Sequence, residues 1–312
     1  MIIALSGGVG GAKLALGLSR ILPPEDLMVV VNTGDDFEHL GLSISPDIDT
    51  VTYTLAGLAN RELGWGRQDE TWSFMETMES LGGETWFRLG DRDVALHVVR
   101  TRRLRAGESL SAVTADLCKR LGIGPRVIPM TDDRVRTRLR TDAGWLDFQD
   151  YFVNRRCEPV VSELAFEGAA QATPHPAFMA ALADPALRAV VICPSNPFIS
   201  VEPILAIPGV RAAMVACAAP IIAVSPIIAG RAVKGPTAKM MTELGLDPSA
   251  GSVAHRYADL LDGYVIDHAD MAEVVSIDAR VTLAQTMMTT LEDREALART
   301  VLDAAAVLRR RK

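Results

Sequence analysis

Met1-Ile2-Ile3-Ala4-Leu5, followed by Ser6-Gly7-Gly8-Val9-Gly10-Gly11-Ala12-Lys13-Leu14, opens the chain. Five apolar residues predict a buried parallel strand. Four glycines let the backbone turn with positive φ and approach a ligand, and Leu14, Leu18 and Ile21 at helical spacing begin a helix. The helix N-terminus faces whatever sits on the glycines, and its N–H groups and dipole favour an anion there. A phosphate on Gly7, Gly8, Gly10 and Gly11, with Lys13 beside them, is the simplest expectation.

Spacing tests two familiar forms of such a loop. A dinucleotide fingerprint needs G-x-G-x-x-G, but counting from Gly8 the sixth position is Lys13, and the next strand ends in Asn32-Thr33 without a carboxylate for a ribose diol. A Walker loop needs Gly-Lys-Ser/Thr, whereas Ala12-Lys13-Leu14 offers no hydroxyl for magnesium. NAD binding and Walker-type ATPase chemistry are both disfavoured. The alternative is a glycine turn that only packs helix on strand. If the loop instead cradles phosphate, Gly10→Val should weaken binding of the phosphate ligand with little loss of fold.

The second strand, Leu27-Met28-Val29-Val30-Val31, delivers Asn32-Thr33-Gly34-Asp35-Asp36 at its carboxyl end, where open parallel sheets place ligands. Ser45-Pro46-Asp47-Ile48-Asp49-Thr50 then enters a helix, and either Asp47 or Asp49 could be its N-cap, leaving the other carboxylate to be explained. Residues 61–83 are polar and aromatic and suggest no mechanism. Trp86-Phe87-Arg88-Leu89 predicts a short strand ending in Gly90-Asp91-Arg92-Asp93, and the helix after it bears His97, with no second His or Cys at metal-ligand spacing. Residues 109–121 form an amphipathic helix. Over 126–172 the period changes to two, as in Arg134-Val135-Arg136-Thr137-Arg138-Leu139-Arg140, which predicts a β-rich insertion whose arginines form a solvated face.

Helix–strand alternation resumes with a helix over 176–183 and strands at 189–193 and 221–224. Their carboxyl ends carry Pro194-Ser195-Asn196-Pro197-Phe198-Ile199-Ser200 and a loop containing Ala229 and Lys234. Gly263-Tyr264-Val265-Ile266-Asp267 and Val274-Val275-Ser276-Ile277 predict final strands, and 291–308 a closing helix whose Arg309-Arg310-Arg311-Lys312 tail suits a helix C-terminus. The fold class expected is α/β: a Rossmann-like, mostly parallel sheet with helices on both faces, formed by 1–125 and 173–312, with all four loops on one edge.

Composition bounds the partners. A net charge of −7 and a pI near 5.3 argue against a nucleic-acid surface. Cys118, Cys157, Cys193 and Cys217 form no C-x-x-C pair, so neither zinc nor a disulfide framework is expected and a reducing cytoplasm is the natural compartment. No signal peptide or membrane span is predicted, since the most apolar tract, 214–228, is broken by Pro220 and Pro226.

Together the four loops closely resemble the 2-phospho-L-lactate transferase family of coenzyme F-420 biosynthesis, along with Pro46-Asp47-Ile48-Asp49-Thr50 and Leu89-Gly90-Asp91-Arg92-Asp93. The resemblance implies transfer of a phospholactyl-type group from a guanosine diphospho donor to the ribityl hydroxyl of the deazaflavin Fo, releasing GMP, with Mg2+ required; bacterial members differ in whether the donor carries phospholactate or phosphoenolpyruvate. It implies a homodimer. It places Asp49 and Arg88 at the acceptor. Expected catalytic residues are Asp49, Asp35 and Asp36, with Asp49 and Asp35 on the metal. Asn32, Thr33, Asp91, Ser195, Asn196, Ser200 and Lys234 are the remaining expected substrate contacts. One departure is Ala229, where the family pattern favours a second glycine. The alternative is a non-catalytic nucleotide-sugar regulator resembling gluconeogenesis-factor proteins, disfavoured by the surplus carboxylates and by a first loop that lacks their threonine.

Overall fold

The computed structural model describes residues 1–60 and 65–308, so the start of the 61–83 stretch and the basic tail lie outside the described residues. Strands β1 (Ile2–Ser6), β2 (Leu27–Val31) and β3 (Arg126–Pro129) are followed by an antiparallel trio, β4 (Arg136–Thr141), β5 (Gly144–Asp147) and β6 (Val161–Glu167). Then come β7 (Ala189–Ile192), β8 (Ile221–Val224), β9 (Gly263–Asp267) and β10 (Arg280–Ala284). Seven strands make one sheet in the order β10-β9-β8-β7-β1-β2-β3, parallel at every pairing. Continuous apolar runs such as β1 and β2 are buried along their whole length because both faces are covered. On one face Ile2, Ala4, Val29 and Val31 share a core with helices α1 (Gly8–Ile21) and α4 (Leu291–Ala306); on the other, Ile3, Leu5, Met28 and Val30 share one with the trio and the helix Pro176–Leu182. Helix α2 (Pro46–Leu55) packs on α1 and meets β2, and α3 (Asp91–Arg105) packs on the short strand Leu42–Ile44.

Three expectations change. The strand at 126–129 is not part of the insertion: it pairs with β2 and closes the central sheet, so the antiparallel sheet begins only at Arg136. Trp86 to Leu89 forms no strand. Its rings pack instead of pairing, Phe87 edge-on to Phe37 at 4.8 Å and Trp86 edge-on to His39 at 5.0 Å. Val274 to Ile277 is not the final strand either. Asp267 accepts the Ala269 N–H and starts a 3-10 helix over His268–Ser276 directly after β9, leaving Val275 94% exposed, and β10 supplies the last strand.

The arginine strand alternates as its pattern predicts. Val135, Thr137 and Leu139 are buried, while Arg138 pairs with Asp147 and Glu167, and Arg140 with Glu163, on the outer face. Among the described residues no single helix is long and apolar enough to cross a membrane.

Ala229 adopts φ +50° and Gly230 φ +72° between the paired residues Ile228 and Arg231, so this two-residue hairpin has the signs of a type I′ turn. Alanine in the left-handed region costs about 1–2 kcal/mol, and asparagine tolerates it better. Ala229→Asn should therefore raise stability by roughly 0.5–1 kcal/mol, read as a higher urea midpoint at unchanged slope. An unchanged or lower midpoint would show that the turn stores no strain.

Candidate active site

Strand order reverses between β1 and β7, and ligands of open α/β sheets bind outside the carboxyl ends at such a point. Here the first and third loops interlock: Ser195 Oγ donates to the Gly7 carbonyl at 2.7 Å and accepts the Gly7 N–H at 3.1 Å. Three of the four glycines serve that contact. An added Cβ would lie 2.5 Å from Ser200 Cβ at Gly7, 2.2 Å from the Pro194 carbonyl oxygen at Gly10, and 2.4 Å from Ser195 Oγ at Gly11. Gly8 differs: it has φ +62° and ordinary space around its Cβ position, with Asp47 Oδ1 the nearest atom at 3.5 Å.

A cleft of about 590 Å³ opens at this edge. Gly7, Gly8, Gly10, Lys13, Asp35, Asp49, Arg88, Ser195, Asn196, Ser200 and Lys234 all line it. Gly11, Asn32, Thr33, Asp36 and Asp91 do not. Asn32 sits behind the wall, where its amide donates to Asp47 at 2.9 Å and to the Ile199 carbonyl at 3.1 Å, tying three loops together. Thr33 closes a turn through its carbonyl to the Asp36 N–H. Asp36 accepts from Ser45 Oγ, and Asp91 accepts from Thr71 Oγ1 and the Phe74 N–H. Ser195 and Asn196 are themselves engaged in loop structure, Asn196 Oδ1 accepting the Phe198 N–H.

One side of the cleft is acidic. Asp35 lies beside Asp47 and accepts its backbone N–H at 3.1 Å, so Asp35 covers the start of α2; neither Asp47 nor Asp49 caps it. Burial, with the charges of Asp47 and Asp36, holds Asp35 well above the usual carboxylate range. Burial likewise pushes Asp47 up to about 6 and Asp36 up to about 7. Lys13 and Lys234 add positive charge to the lining, and burial followed by the charges of Arg294 and Lys234 lowers the Lys13 pKa. Aromatic rings supply the rest. Trp65, Trp86 and Phe87 line the cleft together with Phe148 and Phe152, which stack at 5.3 Å. Arg88 lies 4.5 Å over the Trp72 ring.

Sequence reasoning missed the partners of Asp49. Its carboxylate is clasped by the buried Arg100, through Nη1 to Oδ2 at 3.0 Å and through Nη2 to Oδ1. His97 Nδ1 stands 3.7 Å from Asp49, and His97 Nε2 stands 3.3 Å from Asp93, which accepts from Tyr53 Oη. Asp93, His97 and Arg100 fall at i, i+4 and i+7, one face of α3, and that spacing was the available signal.

The family model for 2-phospho-L-lactate transferase CofD matches residues 2–307. A phosphoenolpyruvate transferase of Streptomyces avermitilis is 41% identical over 317 residues, 99% of either chain. A 2-phospho-L-lactate transferase of Methanosarcina mazei is 38% identical, covering 97% of this chain and 100% of that one. A UPF0052-family crystal structure from Bacillus halodurans matches with TM-score 0.65 at 12% identity over 96% of this chain and 98% of that one, a likeness of fold alone. With a family model spanning nearly every residue and relatives near 40% identity, the chain belongs to the 2-phospho-L-lactate transferase CofD family and is a transferase.

Proposed function

We propose that the protein moves a phospholactyl or enolpyruvyl-phosphoryl group from a guanosine diphospho donor to the ribityl hydroxyl of Fo, releasing GMP, in coenzyme F-420 biosynthesis. The supporting observation is that one cleft is lined by the lysines Lys13 and Lys234, by the carboxylates Asp35, Asp47 and Asp49, and by aromatic rings. Such a lining suits a diphosphate, a reacting hydroxyl and a flat ring. Phosphoryl transfer asks a protein mainly for positioning and charge stabilisation, which these residues supply. Asp49 and Arg88 would meet the acceptor, and the glycine loop with Lys13 and Lys234 the donor. We further propose action in the cytoplasm as a homodimer, checked by sedimentation of the purified chain.

Magnesium fits these residues. Asp35 and Asp47 are buried, mutually repelling carboxylates at the cleft wall, and a divalent cation held by Asp35 and Asp49 near Asp47 would relieve that repulsion and let donor phosphates approach. Among the described residues no group of three His, Cys, Asp or Glu encloses an ion, so phosphate and water oxygens would complete the shell. When bound, the cation would neutralise charge on the transferring phosphoryl group.

The test is product analysis by mass spectrometry with purified protein, Fo, Mg2+ and each donor, because relatives named for either acyl group are similar to this chain. Binding of a uridine nucleotide sugar with no product from any donor would replace the proposal with a regulator.

A pH prediction follows from the acidic side. Asp47 and Asp36 have folded pKa values raised from 3.8 to about 6 and 7, so their contribution to stability is complete below 3.8 and is lost as pH rises through 6 to 7. Bound Mg2+ offsets the Asp47 part of that loss only where that carboxylate is ionised. Saturating Mg2+ should raise the Tm by about 5 °C at pH 8 and by little at pH 5. Equal gains at both would detach the cation from Asp47.

A further inference from the structure

Asp49 reaches the cleft from α2, yet what fixes its carboxylate lies on α3. Arg100 is 1% exposed and does not line the cleft, whereas Asp49, Tyr53, Asp93 and His97 all do. Its guanidinium meets both Asp49 oxygens, a bidentate arrangement that sets the plane of the carboxylate as well as its position. Arg100 is held in turn. Nη1 lies 3.2 Å from His97 Nδ1, and because a guanidinium can only donate, Nδ1 accepts and the ring proton sits on Nε2, 3.3 Å from Asp93 Oδ1. That same Asp93 oxygen accepts from Tyr53 Oη at 2.5 Å. Asp49 and Tyr53 are one turn apart on α2, so the row runs from α2 to α3 and back to α2 along the cleft, with Arg100 alone set behind its wall.

We infer that Arg100, braced by His97, Asp93 and Tyr53, is a positioning residue that fixes the Asp49 carboxylate against the acceptor hydroxyl; the inference rests on the transfer reading above. Each Asp49 oxygen gives one lone pair to Arg100 and keeps another for the cleft. Stability alone gives little reason for the pair, since a buried ion pair is often matched or bettered by apolar residues of similar volume. Lysine cannot replace the fork, being a single point charge on a flexible stem.

The test is a kinetic cycle on the full chain with Arg100→Lys, Asp49→Asn and the double variant. Arg100→Lys should lower kcat by about tenfold or more, the scale of a misplaced reacting group, while the KM for the guanosine diphospho donor stays within about twofold. In the Asp49→Asn background the same change should lower kcat by less than about twofold, because the group it positions is gone. Unchanged kcat in folded Arg100→Lys, or a full additive loss in the double variant, overturns the inference. Should Arg100→Lys not fold, Tyr53→Phe removes only the hydroxyl at the far end of the row, and a kcat equal to wild type there overturns it equally. Absence of product from the wild type with every donor would sink the transfer reading instead. In that event a crystal structure of Tyr53→Phe or Arg100→Lys decides: a rotated Asp49 carboxylate supports the positioning role, and an unmoved one ends it.

Discussion

Gly10→Ala should cost about 3 kcal/mol or more of folding stability, lowering the Tm by about 5 °C or more, before any ligand is considered. The added Cβ would stand 2.2 Å from the Pro194 carbonyl oxygen, which is backbone and cannot swing away as a side chain could. That carbonyl follows β7 in a loop whose Ser195 is doubly bonded to Gly7, so moving it breaks the joint between the first and third site loops. Gly10→Val should be worse, which revises the expectation that valine there weakens binding of the phosphate ligand while sparing the fold. Gly8→Ala is the control. Its Cβ meets nothing closer than Asp47 Oδ1 at 3.5 Å, so its cost is the left-handed φ of +62°, about 1–2 kcal/mol. Thermal melts of the two variants separate these cases. A Gly10→Ala protein as stable as wild type would mean that the loops do not interlock, and the glycines would return to being a phosphate cradle only.

The same residues explain what was legible beforehand. Apolar runs bounded by Gly, Pro and Asn identify β1, β2, β7 and β8, because parallel strands buried on both faces must be apolar throughout. Trp86-Phe87 and Val274-Val275 carry equal strand propensity but lack a ladder partner, and propensity without pairing decides nothing. At the site, Asp35 and Asp49 were legible because they follow a strand end that must face the glycine loop. Arg100 was not. It lies 51 positions beyond Asp49 on a strongly polar helix, and a buried arginine looks like an exposed one until its partner is placed. The second role of Asp47 was hidden for a related reason: a helix-start aspartate reads as a cap, and here Asp35 from another loop covers that end.

Asp49→Asn should lower kcat by about a hundredfold or more, the scale of losing a positioned charge-stabilising or acid–base group. The sequence allowed a silent outcome, since asparagine caps a helix about as well as aspartate. The structure removes it, because the Asp49 carboxylate caps nothing and pairs with Arg100. Asparagine offers the guanidinium one neutral oxygen in place of two charged ones, leaving a buried cation partly uncompensated, which costs about 3 kcal/mol. The variant should therefore melt lower as well as turn over slowly. These losses have different meanings and must be read separately: kcat well below the variant's own melting point, at limiting Mg2+, reports the chemistry, and the melt reports the ion pair. If Asp49 only braces α2 against α3, the melting point falls while turnover by the folded fraction stays near wild type, and that result would sink the catalytic role. If Asp49 faces the acceptor as proposed, turnover stays about a hundredfold down even where the variant is fully folded, because no amount of folding restores the missing charge.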